Sequence, residues 1–539
     1  MKHIRKIIND VLYVSRMTGT YNKKKIVFSA VVLSQITAIA DIALIILFAA
    51  LITGEFDQTN IFSPFTEIVM ERRIILPIII FFRFLFIYLQ NISLKKLELN
   101  VRQNLNVFLL REVFDKRNYS VADAYFYLNN LSGHISYFYS NLTGFINNLL
   151  QIAAYSTYLF ITDSRTVLTF ALGAAVLAFP TKYLLKKSRE FMHRSYEFAQ
   201  QSNVEVQRIV DNMFLIKLLK KDEEEIQKYK HTFEEYNATT LNNHRYGAVN
   251  AILPSFTTMF VFSILLAIKT VAENITLDFI GVTLRLFQSL GSLTNSSNQI
   301  VNAHVHMEKF YEMEKNKIAV NKGNYINKDS ENSNIIELKN VSFTYFNSEE
   351  KIFEDLNISI ERNTHTILTG PNGSGKSTLL GLIAGVFYSQ EGKVLTYNKK
   401  FGYIGATPLI FSGTLRENLM YGNDASVQDD AILKYLKDFD TFKEENNYNL
   451  EKIIDNKSLS SGQMQKIAFI RALLGDIDVL LLDESTANLD DKSRDLIFNI
   501  LSDRQITIIN STHDPENFKG VDSHLKIEIK DEKRVLTLS

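Results

Sequence analysis

Gly370-Pro371-Asn372-Gly373-Ser374-Gly375-Lys376-Ser377-Thr378 is the stretch from which the rest of the chain is read. It fits the pattern G-x-x-x-x-G-K-[ST], with the apolar run HTILT before it and TLLGLIAGVF after it. Strand, glycine-rich loop and helix in that order make a phosphate cradle. Gly373 and Gly375 let backbone N–H groups wrap an anion, and the helix start adds its partial positive charge. Lys376 is placed to reach the terminal phosphates, and Ser377 to put its hydroxyl on Mg²⁺. The plainer reading is a glycine turn ahead of an ordinary helix; the strand–loop–helix context decides against it.

Two further motifs lie downstream. Residues 479–484 read VLLLDE, a run apolar enough for a central strand that delivers Asp483 to a metal. Glu484 then stands where a general base polarises an attacking water. A solvated strand end is the bland account of two acids after an apolar run. Between the two motifs lies Leu459-Ser460-Ser461-Gly462-Gln463, followed by the helical pattern MQKIAFIRALL. His513 follows the strand-like run ITIINST.

Phosphate loop, L-S-x-G-Q, apolar strand ending in Asp-Glu, then His: this order resembles the ABC ATPase family. The resemblance implies ATP as the nucleotide and Mg²⁺ as its partner. It also implies roles residue by residue. Tyr345, in VSFTY, resembles the aromatic that stacks on adenine; an ordinary strand tyrosine is the alternative. Ser460, Ser461, Gly462 and Gln463 stand in the signature motif, of which Ser461 and Gly462 resemble the residues that contact a γ-phosphate held by the opposite subunit. Asp490, in STANLD, resembles the loop that couples two sites across a dimer. His513 resembles the switch histidine at the γ-phosphate, with Glu484 as the catalytic partner. Two departures stand out. The family's usual Gln is replaced by Ala406, whose side chain neither coordinates Mg²⁺ nor orients water. Only 29 residues lie between Lys376 and Ala406 (positions 377 to 405), so a hairpin near residues 393–400 is expected to be trimmed.

The chain before this region is different in kind. Six apolar runs, residues 26–52, 74–92, 142–162, 166–185, 248–268 and 277–300, are long enough to cross a bilayer core of roughly 30 Å. Asn147, Asn148, Asn295, Asn298 and Gln299 interrupt the third and sixth, which suits helices facing a protein partner or a water-filled cavity. Lys23, Lys24 and Lys25 precede the first run, Lys95, Lys96, Arg102, Arg111, Lys116 and Arg117 follow the second, and Lys182, Lys186, Lys187 and Arg189 follow the fourth. By the positive-inside bias both termini and the connections 93–141 and 186–247 are cytoplasmic. The first run is too long for a cleaved signal peptide. Asp41, Arg83 and Arg285 fall inside the runs. They read either as an internal Asp41–Arg83 pair with Arg285 snorkelling, or as a basic cavity for an anionic cargo.

Composition narrows the rest. The 539 residues carry 59 Lys+Arg and 59 Asp+Glu, a balance that gives no support to a nucleic-acid partner. Cysteine is absent, which excludes disulfides, thiolate metal sites and a fused cysteine-protease domain. The expected architecture is an all-α six-helix transmembrane domain, residues 1–315, a polar linker, 316–334, and an α/β P-loop NTPase domain, 335–539. The six runs and one ATPase domain resemble half of an ABC exporter. That resemblance implies a second half-transporter as partner, identical or not, in a lipid bilayer of the bacterial inner-membrane type. It implies ATP-driven export or flipping of a cargo such as an anionic lipid, lipid-linked glycan or peptide. An exporter-fold importer and a membrane-embedded ATP-binding regulator with little hydrolysis are the alternatives.

Overall fold

Apolar runs that must satisfy their own backbone N–H and C=O groups fold as helices, and the first half of the chain is built of them. The computed structural model describes residues 2–20, 24–53, 63–72, 74–115, 126–162, 164–267, 276–315, 321–328, 332–345, 348, 350–398, 400–423, 427–442, 448–486, 489–518, 520–530 and 533–539. It divides into two units, Met1–Ile318 and Ala319–Ser539.

The helices of the first unit are α1 (Lys2–Met17), α2 (Lys24–Thr53), α3 (Ser63–Glu71), α4 (Ile75–Asp115), α5 (Ser132–Thr162), α6 (Ser164–Asp211), α7 (Met213–Leu218), α8 (Asp222–Ala267) and α9 (Leu277–Lys315). The 41 residues of α4, 48 of α6 and 46 of α8 make rods of about 60 to 70 Å, roughly twice a bilayer core. Among the described residues, Lys24–Thr53 and Ile75–Glu112 are long and apolar enough by themselves to cross a membrane. The third and sixth runs fall short because of their polar residues, of which Asn148 and Asn298 make hydrogen bonds inside the unit. Ser188 Oγ donates to Asn298 Oδ1 at 2.9 Å, and Asn243 Nδ2 donates to the Ser188 carbonyl at 2.7 Å. The fourth run and the end of the fifth lie partly outside the described side chains. Ala38, Ile42 and Ile46 of α2 bury against Tyr155, Leu159, Phe279, Val282 and Phe287. Val14 of α1 joins Leu97, Leu105, Phe138 and Met307 in a second core.

The second unit is a parallel sheet flanked by helices and a smaller antiparallel sheet. Its strands are β1 (Tyr325–Asn327), β2 (Asn334–Thr344), β3 (Lys351–Glu361), β4 (His365–Thr369), β5 (Glu391–Thr396), β6 (Phe401–Ile404), β7 (Gly413–Thr414), β8 (Ile453–Ile454), β9 (Val479–Asp483), β10 (Thr507–Ser511), β11 (Ser523–Lys530) and β12 (Lys533–Leu538). The six-stranded sheet has the order β12-β11-β4-β10-β9-β6, parallel except for β12. Every residue of β9 and β10 is buried, as continuous apolar runs in a two-sided parallel sheet require. Helices α10 (Lys376–Ile383), α11 (Leu415–Met420), α12 (Asp429–Asp438), α13 (Ser461–Leu474) and α14 (Asp491–Ser502) complete the unit.

One boundary needs correcting. Residues 325–327, assigned to the linker by composition, form β1 and pair in parallel with Val394–Thr396 register partners of β5. The Tyr325 hydroxyl donates to the Ile383 carbonyl at 3.1 Å, so an aromatic anchor draws the polar segment onto the sheet. β5 belongs to the smaller sheet and β6 to the six-stranded one, and among the described residues no further strand lies between them, where a trimmed hairpin was expected.

Candidate nucleotide site

β4 lies between β10 and β11 and delivers the loop Gly370–Thr378 to the end of the parallel sheet. Gly373 and Gly375 adopt φ of +76° and +100°, open to glycine at little cost. A Cβ on Gly375 would stand 2.9 Å from Phe353 Cζ and 3.1 Å from Ile352 Cγ2, so packing as well as backbone conformation excludes a side chain there. Pro371 and Asn372 form the exposed outer turn, and Ser377 is exposed at the start of α10. Ser374 Oγ is buried without a hydrogen-bond partner among the described residues. The Lys376 ammonium donates to the carbonyls of Gly370 at 3.1 Å and Pro371 at 3.4 Å. It lies 3.5 Å from Glu484 Oε1.

The adjacency of β9 and β10 sets Asp483 opposite Ser511, so the residues that follow each strand meet. The Glu484 amide donates to the Ser511 carbonyl at 2.9 Å, and Glu484 Oε1 lies 2.9 Å from His513 Nε2. Glu484 takes φ of +50°, a left-handed conformation that a side chain adopts only at a cost. Lys376, Glu484 and His513 therefore form one contiguous cluster. Asp483 is buried beside it. Burial and the facing Asp483 carboxylate push the Tyr403 phenol above its ordinary pKa. The Tyr345 hydroxyl is 2.7 Å from Thr378 Oγ1, and its half-exposed ring stands edge-on to Phe343 and Phe387.

Ser460 and Gln463 close a capping box on α13. Ser460 Oγ accepts from the Gln463 amide at 3.2 Å, and Gln463 Oε1 accepts from the Ser460 amide at 2.9 Å. The cap occupies those two side chains and leaves the Ser461 hydroxyl exposed on the first turn of a 14-residue helix. Among the described residues no contact joins Ser461 or Gly462 to the phosphate loop of the same chain. Asp490 caps α14, accepting from the Ser493 amide at 2.8 Å, and pairs with Lys466 of α13 at 3.1 Å. Burial works against its charged form, but the Ser493 amide and hydroxyl and Lys466 outweigh it and hold the carboxyl at about 2.

Sequence reasoning missed two supports. Gln465, fully buried, donates through Nε2 to the Gly405 carbonyl at 3.3 Å and to the Ser485 carbonyl, tying the segment of Ala406 to the one after Glu484. Its signal was a polar residue inside the apolar pattern of α13. Arg534 on β12 donates to the Gly373 carbonyl at 3.3 Å and pairs with Glu350 at 2.7 Å. Nothing local in the sequence marks it, because β12 reaches the loop through sheet order alone.

The donor set fits a nucleotide phosphate with a hard cation: an ammonium, a buried hydroxyl without a partner among the described residues, glycine N–H groups, an exposed serine and the Asp483 carboxylate. Residues 353–487 match the ABC transporter family model. The chain is 25% identical over 400 residues to ABC transporter B family member 1 of Dictyostelium discoideum, covering 68% of this chain and 44% of that protein. It is 32% identical over 208 residues to the ATP-dependent permease MDL1 of Candida albicans, 35% of this chain and 30% of that one. It is 25% identical over 419 residues to the sublancin-168-processing and transport ATP-binding protein SunT of Bacillus subtilis, 71% of this chain and 57% of that one. The chain thus spans between 30% and 57% of the length of these curated relatives. The solved structure of a bacterial Atm1-family ABC exporter with ATP bound shares the fold, with a TM-score of 0.77 at 16% identity over 94% of this chain and 93% of that one. Residues 353–487 thus match the ABC transporter family, and a helical unit followed by this ATPase unit is the fold the chain shares with the solved exporter.

Proposed function

We propose that two such chains assemble in the cytoplasmic membrane and use ATP to move a cargo outward, with both termini and the ATPase unit on the cytoplasmic side. The observation that carries this reading is the Lys376–Glu484–His513 cluster at the mouth of the phosphate loop. Lys376 and the loop N–H groups hold the β- and γ-phosphates, and Tyr345 supports the adenine. Ser377 and Asp483 would hold Mg²⁺, which supplies charge neutralisation on the phosphates. Glu484 accepts a proton from the attacking water, and His513 keeps the carboxylate aimed and touches the γ-phosphate. Ser461 and Gly462 of one chain close over the phosphate held by the other, and Asp490 links the two sites. ATP binding then selects the closed dimer, and hydrolysis releases it. Helical residues 1–315 form the membrane domain and 335–539 the ATPase core. The cargo classes consistent with this reading are an anionic lipid, a lipid-linked glycan or a peptide.

Ala406 favours a second reading, a regulator that binds ATP and hydrolyses little. Mg-ATPase activity of the purified, reconstituted chain separates the two: turnover abolished by Lys376→Ala supports the transporter, and binding without turnover supports the regulator.

A further inference from the structure

We propose that Arg285, held beside Asp41 and Arg83 at mid-membrane depth, is the anchor of an anion site on a water-filled path along α9, and that it takes a carboxylate or phosphate group of the cargo. This deepens the transporter reading and rests on it. Three observations converge. The first is depth. Asp41 lies 12 residues before the end of α2 (53 − 41), Arg83 lies 8 after the start of α4 (83 − 75), and Arg285 lies 8 after the start of α9 (285 − 277). At 1.5 Å per residue these are about 18, 12 and 12 Å from the outer helix ends, close to the middle of a core of roughly 30 Å. An arginine at that depth is out of snorkelling range of the outer interface.

The second is charge. The Asp41 carboxylate, 9% exposed, pairs with Arg83 Nε and lies 3.8 Å from Arg285 Nε. One carboxylate faces two guanidiniums, which leaves one positive charge in excess. Arg83 is spent on Asp41 and on the face of the Phe84 ring, 5.1 Å away. Arg285 is 40% exposed, and its Nη1 donates to Gln288 Oε1 at 3.2 Å. The rest of its fork points at no protein acceptor among the described residues, and such a fork suits a planar oxyanion.

The third is the face on which Arg285 stands. Around the same depth the exposed positions on α2 and α4 are apolar: Ile36 and Ile39 on one, Ile78, Phe81 and Phe84 on the other. On α9 the exposed positions before Arg285 are the apolar Leu277 and Leu284, and from Arg285 onward the exposed track is polar. Gln288, Ser292 and Asn295 follow Arg285 at steps of three, four and three residues, which keeps them on one face of the helix. Lipid does not solvate such a track. It descends from Arg285 to about 27 Å from the outer end at Asn295, so it opens an approach from the cytoplasmic side.

The test uses the full chain in phosphatidylcholine nanodiscs, with carboxyfluorescein as the anionic probe and rhodamine 6G as the cationic one, both read by fluorescence anisotropy. Wild type is expected to bind carboxyfluorescein more tightly than rhodamine 6G. Arg285→Gln is expected to weaken carboxyfluorescein at least about tenfold, the scale of a lost charge-assisted contact. Arg285→Lys keeps the charge and is expected to keep most of the binding, which separates charge from folding. Adding phosphatidylglycerol distinguishes the source: displacement of the dye assigns the site to a lipid headgroup, and no displacement assigns it to a soluble anion. Equal binding of the two dyes, or unchanged binding in Arg285→Gln, overturns the proposal. Wild-type Mg-ATPase activity is read separately. Dye binding without hydrolysis keeps the anion site and removes the transporter, and hydrolysis without dye binding does the reverse.

Discussion

Glu484→Gln isolates the chemistry assigned to the carboxylate. Gln keeps the size and the left-handed backbone, but its amide takes no proton from water and loses the charge pairing with Lys376 at 3.5 Å, beside His513 Nε2 at 2.9 Å. A positioned base is worth about 10² to 10⁴ in rate, or roughly 3 to 5.5 kcal/mol of barrier. Hydrolysis is therefore expected to fall at least about 10²-fold. Nucleotide affinity is retained, because Lys376 and the glycine loop are untouched, and the ATP-bound dimer accumulates. Glu484→Gly, measured against Glu484→Ala, which loses the same contact to Lys376, serves as the backbone control. It removes the base and also relieves the φ of +50°, which costs a side chain about 1 to 2 kcal/mol. After the extra chain entropy of glycine, a gain of roughly 1 kcal/mol remains, or about 2 to 4 °C in the melting temperature of a unit this size. The assay pairs phosphate release with calorimetry and with binding of a fluorescent ATP analogue. Near wild-type turnover in Glu484→Gln refutes the base assignment, and a melting temperature in Glu484→Gly no higher than that of Glu484→Ala refutes the strain argument.

Three other expectations are open to direct measurement. Ala406→Gln should raise Mg-ATPase activity by restoring the amide whose place Ala406 takes; an unchanged or lower rate shows that the short segment tied by Gln465 has moved that function elsewhere. If the turn Met213–Leu218, on which Phe214 is 82% exposed, couples the helices to an ATPase unit, Phe214→Asp should abolish transport while ATP hydrolysis persists, since an unpaired charge buried at such a contact costs several kcal/mol; normal transport removes it from the coupling path. Burial, with neighbouring His134 and His193, holds His306 well below its ordinary pKa, and burial lowers His134 and His193 as well. The folded unit then binds fewer protons than the unfolded chain below pH 6.5, so its stability is full above that value and declines as pH falls. Circular dichroism melts at pH 7.5 and about 5.5 should show the decline, and His306→Phe, which preserves the ring stacked 3.8 Å from His134, should flatten it; a melting temperature independent of pH contradicts the argument.

The parts of this molecule legible in sequence are those where chemistry and spacing are local. The phosphate loop, the VLLLDE strand and the signature turn each carry their meaning within ten residues, and the structure gives them a strand, a capped helix and a left-handed turn accordingly. The long apolar runs were equally plain as helices. What escaped depends on chain-distant contacts. Arg534 reaches Gly373 only because β12 closes the sheet, and Tyr325 becomes part of a strand only because Ile383 offers it a carbonyl. The pairing of Asp41 with two arginines, rather than one, needed α2, α4 and α9 packed together.

The central claim is that this chain turns over ATP to drive transport, and Mg²⁺-dependent ATP hydrolysis by the purified chain in sealed proteoliposomes tests it most directly. The account predicts hydrolysis that requires Mg²⁺, rises more steeply than linearly with protein density as dimers form, and disappears in Lys376→Ala. Tight ATP binding with no phosphate release at any protein density or Mg²⁺ concentration contradicts it.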